Sequence, residues 1–360
     1  MAYLPLSTAN LPDPAIDPAQ ESSPEDYFNT VLWTGDDVVG RSITGVGFQP
    51  DFSWVKCRNT ARNHGFWDAV RGAGYFLSSN LTDAETDRTT AGLTSFISDG
   101  FTVGAGSEVN NTGETYVGWN WKANGSGVSN TDGSITSTVS ANTESGFSIV
   151  KYSGTNNASE SVGHGLTQKP QTILLKKTTS ATDWVVYHES VCTDDRHFLY
   201  LNTTAALTTG GATRWDISAF DGNTFTVGDD HSVNASGEDY IAYCFHSVEG
   251  FSKFGSYVAN ASSDGTFIYT GFSTAFLMVK RADNAGAPWS IIDNTRNTYN
   301  KVNLELDANT SVAEFSINNG ADFVSNGVKL RDSAYLNSSS GNTFIYMAFA
   351  ENPFKYSNAR

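Results

Sequence analysis

Apolar residues alternate with polar or small ones in short runs along this chain, and the runs stop at Gly, Asn and Asp, which is the pattern of strands and turns. The clearest run is "VNNTGETYVGWNWK" (Val109 to Lys122), where Val117, Trp119 and Trp121 share one strand face. It returns as "VNASGEDYIAYCFH" (Val233 to His246), with Ile241, Tyr243 and Phe245 in the same places, and as "YLNSSSGNTFIYMAFA" (Tyr335 to Ala350), with Ile345, Met347 and Phe349. The third version carries one extra residue before Gly341. Asn110, Asn234 and Asn337 precede turns at Gly113, Gly237 and Gly341, where glycine supplies a positive φ at low cost. The opposite strand face is also small or aromatic (Tyr116, Gly118; Phe344, Tyr346, Ala348), which predicts a strand covered on both sides.

The neighbouring blocks repeat in the same order. "YFNTVLWTGD", "FSIVKYSGTN" and "FSKFGSYVAN" open three segments, and each is followed by a strand ending in lysine, at Lys56, Lys176 and Lys280. The blocks "LSSNLTDAET", "LYLNTTAALT" and "LELDANTSVA" come next. The period is roughly 100–120 residues, the size of a small domain and too long for a solenoid repeat. No long stretch shows a 3.6-residue period; Thr82 to Phe96 has room for one short helical turn. The expectation is an all-β chain of three tandem jelly-roll β-sandwich units behind an extended N-terminal arm. Its divisions are a Pro-rich arm over 1–26, units over 27–122, 147–250 and 251–360, and a polar linker over 123–146 with space for a short strand. The second and third units join almost directly, which predicts close contact between them.

Composition narrows the function. The 360 residues are 39% apolar and 12% aromatic, enough for substantial cores, and only 17% charged. The net charge of −16 repels polyanions, and no basic run tracks phosphates, so nucleic acid is not an expected partner. No stretch is long and apolar enough to insert in a membrane, and the N-terminus lacks the basic start and apolar core of a secretory signal. Cys57, Cys192 and Cys244 are far apart and read as buried small hydrophobes. Triplets of the N-x-S/T type, including those at Asn80, Asn110, Asn202, Asn234, Asn309 and Asn337, read as by-products of turn-rich sequence.

Catalytic chemistry finds little footing. The histidines are scattered, and no HExxH, G-x-S-x-G or P-loop occurs. Glu114 and Glu238 recur in "GETY" and "GEDY", but Asn342 takes that place in the third segment, so a turn role is expected for them instead of a glycosidase pair. Asp68 with Arg71, and Asp293 with Arg296, read as surface ion pairs, replaced by His188 and Val191 in the second segment. Loops at Asn130, Asp221 and Asp229 cluster oxygens without matching a defined calcium loop, and calcium is the only cofactor they bring into question. No catalytic, cofactor-binding or metal residue is assigned.

The blocks "SITGVGFQPDFSWVK", "GFTVGAGSEVNNTGETYVGWNWK", "SITSTVSANTESGFSIVKYSG", "VNASGEDYIAYCFHSVEGFSKFGSY" and "FIYMAFAENPFKY" together resemble a repeat family of virion proteins of marine bacteriophages, including cyanophages. Its members are tail-fibre-like or concanavalin-A/laminin-G-like, and the similarity runs from about Tyr27 to Tyr356. The resemblance implies concanavalin-like sandwiches, assembly in the bacterial cytoplasm and a place in the virion, and it brings no catalytic motif. The function it suggests is a non-catalytic, tail-fibre-like component that recognises host surface glycan. A capsid-decorating (cement) protein anchored by its arm is the alternative, and a glycan-degrading enzyme a minor one. Expected partners are other virion proteins through residues 1–26, host polysaccharide and further copies of the same chain.

Overall fold

Residues 11–20 and 22–357 are described by the computed structural model, and antiparallel strands dominate them. One four-strand pattern occurs three times. In the first copy the order across the sheet is the opening strand Phe28–Thr34, the closing strand Thr115–Trp121, the lysine strand Phe52–Cys57 and then Gly65–Asp68. The second copy has Phe147–Ser153, Asp239–Phe245, Thr172–Lys177 and Val185–His188 in the same order. The third has Ser252–Val258, Thr343–Pro353, Phe272–Arg281 and Trp289–Asp293. Register agrees as well: Lys56 lies opposite Val117, Lys176 opposite Ile241 and Lys280 opposite Ile345. The closing strand is central in every copy, flanked on both edges, and its two apolar faces are covered by the layers on either side of the sheet.

Each copy also pairs a second set of strands. These are Arg41–Thr44 with Gly100–Val103, Glu160–Gly163 with Thr224–Val227, and Phe267–Tyr269 with Gly327–Leu330. One face of each four-strand sheet packs towards these smaller strands, giving a β-sandwich. In the first copy Trp33, Val55 and Tyr116 meet Ile43, Phe101 and Val103; in the third, Leu277, Val279 and Tyr346 meet Ile268, Phe323 and Val328.

The other faces of the three sheets meet one another in a single shared core. It holds Phe28, Trp54 and Trp121, then Phe147, Tyr243 and Phe245, then Phe276, Met278 and Phe349. Trp121, Phe245 and Phe349 occupy the same place in the three closing strands. Their ring centroids are 5.5 Å (Trp121–Phe349), 6.0 Å (Phe245–Phe349) and 6.5 Å (Trp121–Phe245) apart. Three equivalent aromatic rings in mutual contact place the copies round an approximate threefold axis. The first copy therefore touches the third as well as the second, and the second–third junction is one of three.

Three segments differ from expectation. Residues 123–146 form two strands, Val128–Asn130 and Ser137–Asn142, that extend the second copy's sheet beyond its opening strand. The stretch Thr82 to Phe96 holds no helix; Leu93 is buried and pairs with Val103 in a strand, so tertiary burial decides the conformation. The described part of the arm lies on this chain itself. Ile16 enters the shared core and the Ala15 N–H donates to the Glu249 carbonyl at 3.4 Å; just past the arm, the Tyr27 hydroxyl donates to Glu144 at 2.6 Å. Residues 1–10 of that arm lie outside the described residues.

Candidate functional site

The three lysines that end the lysine strands are buried and reach across the junctions. Lys56 Nζ donates to the Cys57 carbonyl at 2.8 Å and to the Ser311 carbonyl of the third copy at 3.4 Å. Lys176 reaches Thr82 of the first copy at 3.1 Å, and Lys280 reaches Thr204 of the second at 3.4 Å. Burial pulls each ammonium down to about 8, so carbonyl dipoles stand where water would otherwise solvate a charge.

The acceptors are equivalent positions, each two residues beyond Asn80, Asn202 or Asn309. Those asparagines accept the backbone N–H of His64, Trp184 and Trp289, at 2.9, 2.9 and 2.8 Å. The rings of the same three residues then cross the junctions. His64 Nε2 meets the Asp307 carbonyl at 3.0 Å, Trp184 Nε1 donates to Ser78 at 2.8 Å, and Trp289 Nε1 donates to Tyr200 at 2.9 Å. His64 Nδ1 accepts from Trp54 Nε1 at 2.8 Å, so Nε2 carries the proton and takes the donor's part that tryptophan plays elsewhere. The direction is cyclic: first copy to third, second to first, third to second.

The two Asp–Arg pairs belong to this ring, which corrects the expectation of surface pairs. Arg71 Nε meets Asp68 at 2.5 Å with both side chains at most 1% exposed, and Arg296 meets Asp293 at 2.5 Å with both at 0%. Arg71 further donates to Glu85, Phe66 and Tyr75, and Arg296 to Glu314 and Ile291. Partner copies complete the networks: the Tyr243 hydroxyl donates to Asp68 at 2.8 Å and Trp119 Nε1 donates to Asp293 at 3.1 Å. A buried charge persists when its remaining hydrogen-bonding capacity is met, and here it is met from two copies at once. At the second–third junction His188, Val191 and Leu207 stand in for Asp, Arg and Glu together. His188 Nε2 meets the Tyr346 carbonyl at 3.3 Å, and burial holds its imidazole down at about 4.

The other candidates have local roles. Glu114 binds Arg62 at 2.7 and 3.1 Å, and that bond holds its carboxyl down at about 2. Glu238 accepts from Thr179 and Ser180. Asn130 and Asp132 bond each other, Asp221 accepts from Asn223 and Thr224, and Asp230, next to Asp229, caps the short helix His231–Asn234. Among the described residues no group of three or more His, Cys, Asp or Glu is placed to hold a metal. The cysteines are buried and unbridged. Asn110, Asn234 and Asn337 are 0% exposed and accept the N–H of Asp36, Thr155 and Asn260. These asparagines, like those at Asn80, Asn202 and Asn309, are structural latches. The signal was their recurrence at fixed places in aligned blocks.

Open clefts lie where the copies and residues 11–27 meet. One of about 590 Å³ runs between the first and third copies, past Asn29, Thr30, Asn294, Thr295 and Tyr299, the last 81% exposed. Another, of about 430 Å³, is bordered by Pro12, Pro14, Lys253, Tyr269 and Phe354.

The model of a family described as a domain of unknown function (DUF7483) matches residues 23–353. No curated protein and no solved structure matches.

Proposed function

The chain belongs to this family of domains of unknown function, and from that premise we propose that it is a non-catalytic, tail-fibre-like component of a bacteriophage particle that binds host surface glycan. The observation that carries this reading is the use of chemically capable groups. Buried lysines, imidazoles and carboxylates join one copy to the next, as Lys56, His64 and Asp68 do. Such a ring makes a stiff platform, and stiffness lowers the ordering cost of a binding surface. The finer architecture belongs to the same proposal: three tandem jelly-roll, concanavalin-like sandwiches, with a leading arm that contacts neighbouring virion proteins. That arm is residues 1–26, of which Ile16 is anchored in the chain's own core and Pro12, Asp13 and Gln20 are exposed. The cleft beside Tyr299 offers an exposed ring among amides and hydroxyls, groups that suit a saccharide.

The test is a pull-down of host polysaccharide by the full chain and by Tyr299→Ala. Retention by the first and at least tenfold weaker retention by the second (about 1.4 kcal/mol) is the expected result. Turnover of labelled polysaccharide by the full chain overturns the non-catalytic reading. Labelled antibody bound to the capsid shell of intact particles overturns the tail-fibre placement.

A further inference from the structure

Two carboxyls in the third copy are tied neither to the ring nor to any cation. Glu305 and Asp307 lie two residues apart on the strand Val302–Asp307, so their side chains leave the same face. The Glu305 side chain is buried in the sandwich at 0% exposure. The places equivalent to Glu305 in the other copies hold buried aromatics, Phe76 and Phe198. Glu305 Oε1 accepts from the Ser290 hydroxyl at 2.6 Å. Its Oε2 and the Oδ1 of Asp307 are both buried and have no donor.

Charged neighbours do not resolve this. Asp332 is 3% exposed and already takes the N–H groups of Ala334, Tyr335 and Leu336, and its charge bears on Glu305 with the wrong sign to relieve it. Tyr257, on the opening strand, lies near Glu305, with its hydroxyl committed to the Leu336 carbonyl. On the neighbouring strand the facing group is Ser290. His64 approaches only the Asp307 main-chain carbonyl. No lysine or arginine pairs with either carboxyl among the described residues.

Two buried oxygens lacking donors, on adjacent side chains of like charge, are satisfied together by one shared proton. We propose that Glu305 and Asp307 form a carboxyl–carboxylate pair that keeps one proton in the folded protein at neutral pH, and that this pair makes the third sandwich sensitive to alkali. Burial, the first cause, and the neighbouring Asp307 and Asp332 charges push Glu305 well above the usual carboxylate range, and burial raises Asp307 too. The unfolded carboxyls lose their protons near pH 4. A raised folded value therefore gives stability that is complete below that point and declines as pH rises.

The test uses the full chain and two readouts. Infrared spectra with carbon-13 label in the Glu and Asp carboxyls should show a protonated carboxyl at about pH 7; Glu305→Gln should remove that signal. A glutamine there can still accept from Ser290 while its amide N–H donates to Asp307, so the variant should fold. It should also lose less melting temperature than the parent between about pH 5 and 8. A parent spectrum with only ionised carboxylates overturns the proposal, whether or not the variant folds. So does a calcium-dependent rise in the parent's melting temperature that Glu305→Gln abolishes, since a cation would then hold the pair.

Discussion

Asn202 shows what a single side chain does here. Its Oδ1 fixes the Trp184 N–H and its Nδ2 donates to Asp183 at 2.7 Å, while Trp184 reaches into the first copy. Removing the amide leaves a partly buried donor without its partner, so Asn202→Ala should cost about 1–3 kcal/mol, read as a lower denaturation midpoint at unchanged slope. Imidazoles set the acid limit. Burial holds His164 and His188 down at about 4, puts His64 well below its ordinary range and lowers His246. Unfolded imidazoles take protons near pH 6.5 while the folded ones refuse them. The unfolded chain then binds more protons, so stability should fall as pH drops from about 6.5 towards 4. Melting temperatures across that range check this, and His188→Gln should flatten the slope.

Turns and junctions act at the scale of elements. Gly113 has φ +77° and open space round a would-be Cβ, whereas a Cβ on Gly35 would come within 2.2 Å of the Asn111 carbonyl oxygen. Gly113→Ala should therefore cost about 1 kcal/mol, and Gly35→Ala distinctly more, because two strand ends must separate. Thermal unfolding of the two variants decides it. The third copy has Ala259 in the place of Gly35, and its turn carries the extra residue before Gly341. Charge at the junctions gives a sharper case. Arg71→Met alone strands Asp68 and should cost about 3–5 kcal/mol. Asp68→His, Arg71→Val and Glu85→Leu together copy the second–third junction and should recover much of that loss in the same assay.

Much of this level was legible in the sequence. The closing strand, its glycine turn and the lysine at the end of its neighbour recur in the letters, and strand alternation turns that recurrence into faces. What could not be read was the destination of the second apolar face. Trp119 and Tyr243 look like core residues in any arrangement; that one donates to Asp293 and the other to Asp68 depends on how the copies meet. Asp68 and Arg71 sit three residues apart in "DAVR", and an opposite-charge pair at that spacing reads locally as a surface pair. Ile16 sat unremarked among prolines, because a lone apolar residue has no period.

At the scale of the whole molecule, the shared core makes the copies interdependent. Residues 147–250 alone would expose Phe147, Tyr243 and Phe245, so that fragment should fail to give a cooperative thermal transition. Trp121→Ala should lower a single transition of the full chain by about 3–5 kcal/mol, since its ring touches both partners. Removal of residues 1–26 takes Ile16 out of the shared core and should lower the melting temperature.

Contact between the first and third copies also governs how the protein is made. Lys56 waits for an acceptor 255 residues downstream. A chain emerging from the ribosome at roughly 5–20 residues per second carries that lysine and the Trp54 face uncovered for many seconds. The nascent first copy is thus a natural client for a holding chaperone until the last strand leaves the exit tunnel.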